Sequence, residues 1–153
     1  MSKRYIDWHN FHVTCRSLAQ QIKKQCIQPE SIIAIARGGL VPARIIAEYL
    51  YVNRVYSVGV KSYNDNERGD IEIYQQLPLN NLPLRDTLIV DDICDSGNTL
   101  NRVRQDIING TKLPEDKVHT VTPYLKKDAS FIPNFWNTEC SASEWIVFPF
   151  ESI

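Results

Sequence analysis

The residues best suited to catalysis or ligand binding lie in one short stretch, residues 88–100. Three carboxylates, those of Asp91, Asp92 and Asp95, follow the apolar run Leu-Ile-Val. A turn of small and polar residues comes next, formed by Ser96, Gly97, Asn98 and Thr99. Vicinal carboxylates can accept hydrogen bonds from sugar hydroxyls or, through water, help to hold Mg²⁺. The stretch therefore suits a ligand that carries a diol and a metal.

The turn after the carboxylates adds a site for a phosphate. The next helix should begin there, and a helix N-terminus offers free N–H groups and a partial positive charge. Gly97 lets the backbone approach a ligand closely, and the hydroxyls of Ser96 and Thr99 add donors. Crowding among the acids favours protonation of one of them, which suits Asp95 to proton transfer.

Other interpretations of the acids fit less well. A single aspartate at a strand end usually caps a helix and faces water, but three acids and a Ser-Gly-x-Thr turn favour a site. The Asp-x-Asp pattern of phosphoaspartate hydrolases is missing from this stretch. The chain also lacks the GxxxxGK[ST] and GxGxxG motifs of nucleotide-binding loops.

The elements that must position these residues are alternating strands and helices. Short apolar runs at residues 31–36, 55–60, 87–90 and 119–125 predict strands buried in a parallel sheet. Helices are predicted at 40–51 and from the Ser-Gly turn to about residue 108, and polar residues 62–70 predict a mobile loop before a possible ribbon at 71–74. We expect an α/β fold, with a doubly wound, mainly parallel sheet flanked by helices and its site at the carboxyl ends of the strands.

The two ends of the sequence also have a pattern. Apolar residues at helical spacing predict an amphipathic first helix with Asp7 as its N-cap; they are Phe11, Cys15, Leu18, Ile22 and Cys26. Residues 145–150 (Trp-Ile-Val-Phe-Pro-Phe) are too apolar to remain unpacked. We expect this tail to pack on another part of the protein.

Composition limits the class of protein. The 153 residues suit one domain, and a net charge of −1 argues against a nucleic-acid-binding module. The apolar runs are too short for a membrane span. Four scattered cysteines without a CxxC pair favour reduced thiols and a cytoplasmic location.

Residues 88–99 resemble the phosphoribosyl pyrophosphate (PRPP) signature of type I phosphoribosyltransferases. The segment Ala-Arg-Gly-Gly at 36–39 resembles the pyrophosphate loop of that family, and residues 62–68 resemble its flexible hood loop. The similarity extends over nearly the whole chain and is greatest to the bacterial xanthine-guanine (6-oxopurine) members. It implies one phosphoribosyltransferase domain over 1–153, with a core at about 30–125, a hood loop at about 62–76 and a base-pocket tail at about 126–153.

The resemblance assigns roles around PRPP. It implies that Asp91 and Asp92 bind the ribose hydroxyls and that residues 95–99 hold the 5′-phosphate, with Asp95 near purine N7. Arg37 and the backbone of Gly38 and Gly39 would meet the pyrophosphate, and Arg68 of the hood would stabilise it as it departs. Asn98 stands where relatives often carry glycine, which is tolerable because backbone amides bind the phosphate.

The resemblance also assigns a base pocket. Lys126 matches the lysine that 6-oxopurine enzymes direct at purine O6, although its neighbour Lys127 leaves the position open by one residue. Trp145 and Ile146 resemble the Trp-Ile step that sandwiches the purine. Glu151 stands where relatives commonly carry an aspartate near the base and the metal, so it joins Asp91 and Asp92 as a candidate metal ligand.

The resemblance thus implies transfer of the phosphoribosyl group from PRPP to N9 of xanthine, guanine or hypoxanthine, with Mg²⁺ as cofactor. We also expect a homo-oligomer, a dimer or a tetramer, that binds no nucleic acid. Two alternatives stay open: a phosphoribosyltransferase for another base, and a non-catalytic regulator on the same fold that senses PRPP or nucleotides.

Overall fold

The computed structural model describes residues 1–63, 70–81 and 85–151. Three helices and nine strands occur in these ranges, together with short 3-10 helices at Leu79–Asn81 and Glu115–Lys117. In chain order they are β1 (Ser2–Tyr5), α1 (Trp8–Lys24), β2 (Ser31–Ala36), α2 (Leu40–Leu50), β3 (Arg54–Tyr63), β4 (Asp70–Gln75), β5 (Thr87–Val90), β6 (Ile93–Cys94), α3 (Asn98–Thr111), β7 (Val118–Lys126), β8 (Phe135–Cys140) and β9 (Glu144–Val147).

The main sheet is mostly parallel. Its strand order is β4-β3-β2-β5-β7-β6, and β8 also pairs with β7. The inner pairs β3–β2, β2–β5 and β5–β7 are all parallel, whereas β3 and β4 pair antiparallel. Every residue of β5 and the first five of β2 are buried, because helices cover both sheet faces. The predicted α/β fold is confirmed.

Helices lie on both faces of the sheet. Residues of α1 and α2 pack with Ile32 and Ala34 in one core cluster, and residues of α3 pack with Ile33 and Ile35 in the other. Successive strand residues point to opposite faces, so the continuous apolar run of β2 supplies both clusters. The sheet is therefore doubly wound. From β2, the next strands β3 and β4 are added on one side and β5, β7 and β6 on the other, so the switch point lies between β2 and β5.

Most predicted elements are present, with two corrections. Asp7 caps α1 as expected, since its Oδ1 accepts the N–H of Asn10 at 2.7 Å. Cys26, however, lies beyond the end of α1, is exposed and has a φ of 58°, because the helix ends at Lys24. The strand predicted at 55–60 begins no βα unit in the described chain, because β3 is followed by β4 and pairs with it antiparallel. Strand β4 covers the possible ribbon predicted at 71–74.

The apolar tail packs on the start of the chain. Strand β9 pairs in parallel with β1 in a separate two-stranded sheet, and Ile146 and Phe148 join the core cluster of α1. The ring of Phe148 lies 5.9 Å from that of Phe11 and 5.5 Å from that of Tyr124. In the described ranges no helix combines the length and hydropathy that a bilayer crossing requires.

Candidate active site

Three of the predicted site segments meet at one edge of the sheet. The Arg37-Gly38-Gly39 turn follows β2, Asp91 follows β5, and Lys126 ends β7. These strands are parallel, with Ala34 opposite Val90 and Val90 opposite Val121, so their carboxyl ends share an edge. The site therefore lies at the switch point between β2 and β5, the usual ligand crevice of an open α/β sheet.

The glycine turn and the acidic pair are in direct contact. A side chain at Gly38 would overlap the carboxylate of Asp92, and one at Gly39 would overlap the backbone carbonyl oxygen of Val90. Arg37 is exposed at the same turn, and the peptide bond before it is cis. The structure thus brings the predicted pyrophosphate loop against the predicted ribose-binding acids.

Asp91 and Asp92 form a partly buried carboxyl pair. Asp91 Oδ1 accepts the N–H of Asp92 at 2.9 Å, and Asp92 Oδ1 accepts the N–H of Ile93 at 2.7 Å. Burial raises the pKa of Asp91 well above its ordinary value, and the charge of Asp92 adds to the increase. Burial likewise raises the pKa of Asp92 to about 6. Asp95 lies farther along the chain, exposed, in the next turn.

The predicted phosphate loop ends at the N-terminus of α3. Gly97 has a φ of 91°, a left-handed conformation that favours glycine, and α3 begins at Asn98. Ser96 Oγ accepts the N–H of Asn98 at 3.2 Å. The side chains of Asp95, Ser96 and Asn98 are exposed, so this helix end is open to a ligand.

The residues predicted to form the base pocket lie around the turn between β8 and β9. Lys126 is 7% exposed, and its Nζ donates to the carbonyl oxygens of Ser141, at 3.2 Å, and Glu144. Lys127 is exposed, and its backbone N–H donates to Cys140 O at 3.0 Å. Of the two lysines, Lys126 has the ammonium group that lies at the turn.

Trp145 and Ile146 point in opposite directions. Trp145 is 54% exposed, whereas Ile146 is 6% exposed and belongs to the core. Neighbouring residues of a strand face opposite sides, so the two side chains cannot cover the same face of a base. Of the two, Trp145 has the free aromatic surface.

Glu151 lies near the acidic pair although it is distant in sequence. Its charge adds to the burial effect that raises the pKa of Asp92, and its Oε2 accepts the N–H of Phe148 at 2.9 Å. Within the described ranges, no three His, Cys, Asp or Glu side chains lie close enough together to hold a metal ion. Arg68 and the other residues from 64 to 69 of the predicted hood loop lie outside the described residues.

One further contact was not foreseen from the residue pattern. Ser130 and Phe131, from the segment after β7, donate hydrogen bonds to the carbonyl oxygen of Ser96 in the phosphate loop. The contact spans 34 residues. Gly97 gives no specific signal for this contact, because its φ of 91° already favours glycine at the turn.

The fold and this edge define a protein that binds a phosphorylated ligand at the switch point of an α/β sheet. Residues 1–152 match the family model of the phosphoribosyl transferase domain. The chain is 34% identical over 146 residues to the xanthine-guanine phosphoribosyltransferase of Chromohalobacter salexigens, and the match covers 95% of this chain and 82% of that protein. The chain belongs to the phosphoribosyltransferase family, which confirms the family predicted from residues 88–99.

Solved structures agree with this assignment. The purine phosphoribosyltransferase of Pyrococcus horikoshii Ot3 superposes with a TM-score of 0.81 at 27% identity, covering 100% of this chain and 97% of that chain. A Helicobacter pylori xanthine-guanine-hypoxanthine phosphoribosyltransferase has the same fold, with a TM-score of 0.82 at 23% identity and coverage of 95% and 92%.

Proposed function

We propose that this protein transfers the phosphoribosyl group of PRPP to N9 of a 6-oxopurine in purine salvage, giving a nucleoside monophosphate and pyrophosphate. The observation that carries the proposal is the contact between Gly38 and Asp92. It joins a turn suited to pyrophosphate with acids suited to ribose hydroxyls, next to a helix N-terminus suited to phosphate. The activities named for the relatives from Chromohalobacter salexigens and Pyrococcus horikoshii support it.

The residues present fit a magnesium ion that is held mainly by water and substrate oxygens. Asp91 and Asp92 offer hard oxygen ligands, and Glu151 is close enough for its charge to affect Asp92. Raised pKa values in this pair favour a partner that compensates the buried negative charge. When bound, Mg²⁺ would neutralise charge on the pyrophosphate leaving group.

Groups of the protein itself bind the phosphate and the ribose, stabilise the leaving group and accept the proton. The amides at the start of α3 hold the 5′-phosphate, and Asp91 and Asp92 accept hydrogen bonds from the ribose hydroxyls. As the C1–O bond breaks, its electron pair leaves with pyrophosphate, whose charge Arg37 stabilises. Purine N9 donates the electron pair of the new C1–N bond, and Asp95 accepts the proton from N7. The predicted role of Arg68 and of closure by the hood also belongs to this proposal.

Base selection rests on two side chains in this proposal. An ammonium group at Lys126 donates to the 6-oxo group and disfavours the amino group of adenine, which accepts poorly. The exposed indole of Trp145 offers a flat face on which a purine stacks.

A cytoplasmic location and a homo-oligomeric state, a dimer or a tetramer, are further parts of the proposal. All four cysteines are free, which supports a reducing compartment.

A panel of bases assayed with PRPP tests the proposal. Xanthine, guanine and hypoxanthine should be converted, adenine, uracil and orotate should not, and EDTA should stop the reaction until Mg²⁺ is restored. Asp95→Asn should lower kcat at least tenfold, since removal of a general base commonly costs 10²–10⁴-fold in rate. Turnover confined to a pyrimidine would refute the base pocket. Absence of all turnover, with tight PRPP binding, would favour the regulator instead.

A further inference from the structure

The segment after β7, residues 126–131, lies against the phosphate loop. The N–H of Ala129 donates to Lys126 O at 3.1 Å, which closes a turn, and the next two residues reach Ser96. The carbonyl oxygen of Ser96 accepts three hydrogen bonds: from Ser130 N at 2.9 Å, Ser130 Oγ at 3.0 Å and Phe131 N at 3.2 Å. Three donors therefore fix the direction of one carbonyl group.

A fourth hydrogen bond holds the same segment from the other side. Cys94 Sγ donates to Phe131 O at 3.2 Å. A Cβ at Gly97 would lie 2.6 Å from Phe131 Cβ and 2.7 Å from Phe131 O. The loop and the segment thus form one packed unit.

The fixed carbonyl group determines where a neighbouring amide points. The peptide bond between Ser96 and Gly97 is trans, since the only cis bond in the described residues precedes Arg37. In a planar trans peptide the C=O and N–H groups point in opposite directions. With Ser96 O held toward Ser130, the N–H of Gly97 must point away from residues 130 and 131.

We propose that Ser130 is a positioning residue that aims the Gly97 amide at the 5′-phosphate of PRPP. The inference rests on the proposed function, because it takes the loop at 95–99 as the phosphate site. Ser130 acts through Ser96 and touches no substrate. Its segment begins at Lys126, so the same short stretch of chain connects the predicted base contact with the phosphate loop.

A positioning role for Ser130 predicts weaker binding of the phosphate ligand without loss of the fold, which a purely structural role does not. Ser130 is exposed, and its replacement by alanine leaves both backbone donors to Ser96 O in place. The fold should therefore persist, while the carbonyl group is held by two donors instead of three and is less firmly directed. Loss of one hydrogen bond typically changes an affinity about fivefold. The loss should affect the phosphate ligand and not the base.

The test compares Ser130→Ala with Ser130→Thr, which keeps a hydroxyl, and with Ser17→Ala as a matched control. Ser17 Oγ accepts a 3.0 Å hydrogen bond from Asn137 Nδ2, and this pair belongs to α1 and β8, outside the phosphate loop. In Ser130→Ala the KM for PRPP should rise about fivefold with an unchanged KM for the base. Ser130→Thr should restore most of the loss, and Ser17→Ala should match wild type. An unchanged KM for PRPP, or an equal rise in both KM values, would overturn the inference.

Calorimetric titration with ribose 5-phosphate separates this inference from the proposed function, because it needs no turnover. Binding about fivefold weaker in Ser130→Ala would support the inference, even if wild type converted none of the bases. Equal affinity in both proteins would refute it while leaving the enzyme assignment intact. Failure of wild type to bind ribose 5-phosphate would overturn both proposals.

Discussion

At the scale of single residues, the site holds unfavourable charge in Asp91 and Asp92. Both carboxyl groups are partly buried, and burial is the largest cause of their raised pKa values. A raised pKa means that the folded chain disfavours the ionised form compared with the unfolded chain. The pair therefore costs stability at neutral pH, and a ligand that supplies hydroxyl donors or a cation can recover that cost.

The first prediction concerns Asp92→Asn in metal-free buffer. Folding raises the pKa of Asp92 from 3.8 to about 6, so the folded chain favours the neutral carboxyl group. The stability gained from this preference is fully present below pH 3.8 and is lost as the pH rises through 6. At pH 7.5 the variant should be more stable than wild type by roughly 1–3 kcal/mol, and inactive. The difference should disappear near pH 3.5.

Thermal unfolding from pH 3.5 to 8 measures this difference. The exposed Asp116, replaced by asparagine, serves as the control and should follow the wild-type curve. An Asp92→Asn protein that is less stable than wild type at pH 7.5 would contradict the prediction.

The sequence located these acids because they are consecutive in the chain and follow an apolar strand. It could not show that burial raises the pKa values of Asp91 and Asp92, because only the fold shows which carboxyl groups are buried. The contact of Ser130 with Ser96 was equally inaccessible, since it joins residues 34 positions apart. The proximity of Glu151 to the pair was expected, but only from the family resemblance and not from the spacing of the residues.

At the scale of elements, the turn between β2 and α2 depends on two glycines for different reasons. A side chain at Gly38 would meet the carboxylate of Asp92, which can rotate away. A side chain at Gly39 would meet backbone atoms of Ile35 and Val90, which are fixed in adjacent buried strands. Gly39 has a φ of −72°, so its requirement is for space and not for an unusual backbone conformation.

Gly38→Ala and Gly39→Ala should therefore separate activity from stability. Gly39→Ala should lower the free energy of unfolding by about 1–3 kcal/mol, because buried backbone must move. Gly38→Ala should unfold within about 1 kcal/mol of wild type yet lose most PRPP-dependent activity, because the Asp92 carboxylate is displaced.

Urea unfolding and initial rates on the two variants provide the measurement, and each variant is the control for the other. Equal destabilisation of both, or full activity in Gly38→Ala, would show that Asp92 and Gly38 are not packed as described.

The elements themselves were predictable where apolar runs are continuous, as in β2 and β5. Whether a helix or another strand follows a given strand was less predictable. The run at 55–60 resembles those of the other strands, and nothing within it indicates that β4 will pair beside it antiparallel. The end of α1 was also missed, because Cys26 continues the helical spacing of apolar residues although the helix stops at Lys24.

At the scale of the whole molecule, strand β9 in the tail has one face in the core and the other exposed. Strand β9 pairs with β1 outside the main sheet, yet Ile146 packs in the core cluster that includes Phe11 and Val90. Trp145 is its immediate neighbour and faces outward. If the chain is one domain over 1–153, the tail and the main sheet should unfold together.

Ile146→Ala tests whether the chain unfolds as one domain, and Trp145→Ala tests whether the exposed face of β9 binds the base. Loss of the buried Ile146 side chain should lower the free energy of unfolding by about 2–4 kcal/mol in one cooperative transition, since core truncations to alanine cost that much. Loss of the exposed indole should leave stability nearly unchanged but raise the KM for the base roughly tenfold, because base–aromatic stacking contributes about 1–3 kcal/mol. Urea unfolding followed by circular dichroism and by tryptophan fluorescence, together with base titrations, measures both effects. A wild-type midpoint in Ile146→Ala with a separate tail transition would mean that the tail is not part of a single domain, and an unchanged KM in Trp145→Ala would remove Trp145 from the base pocket.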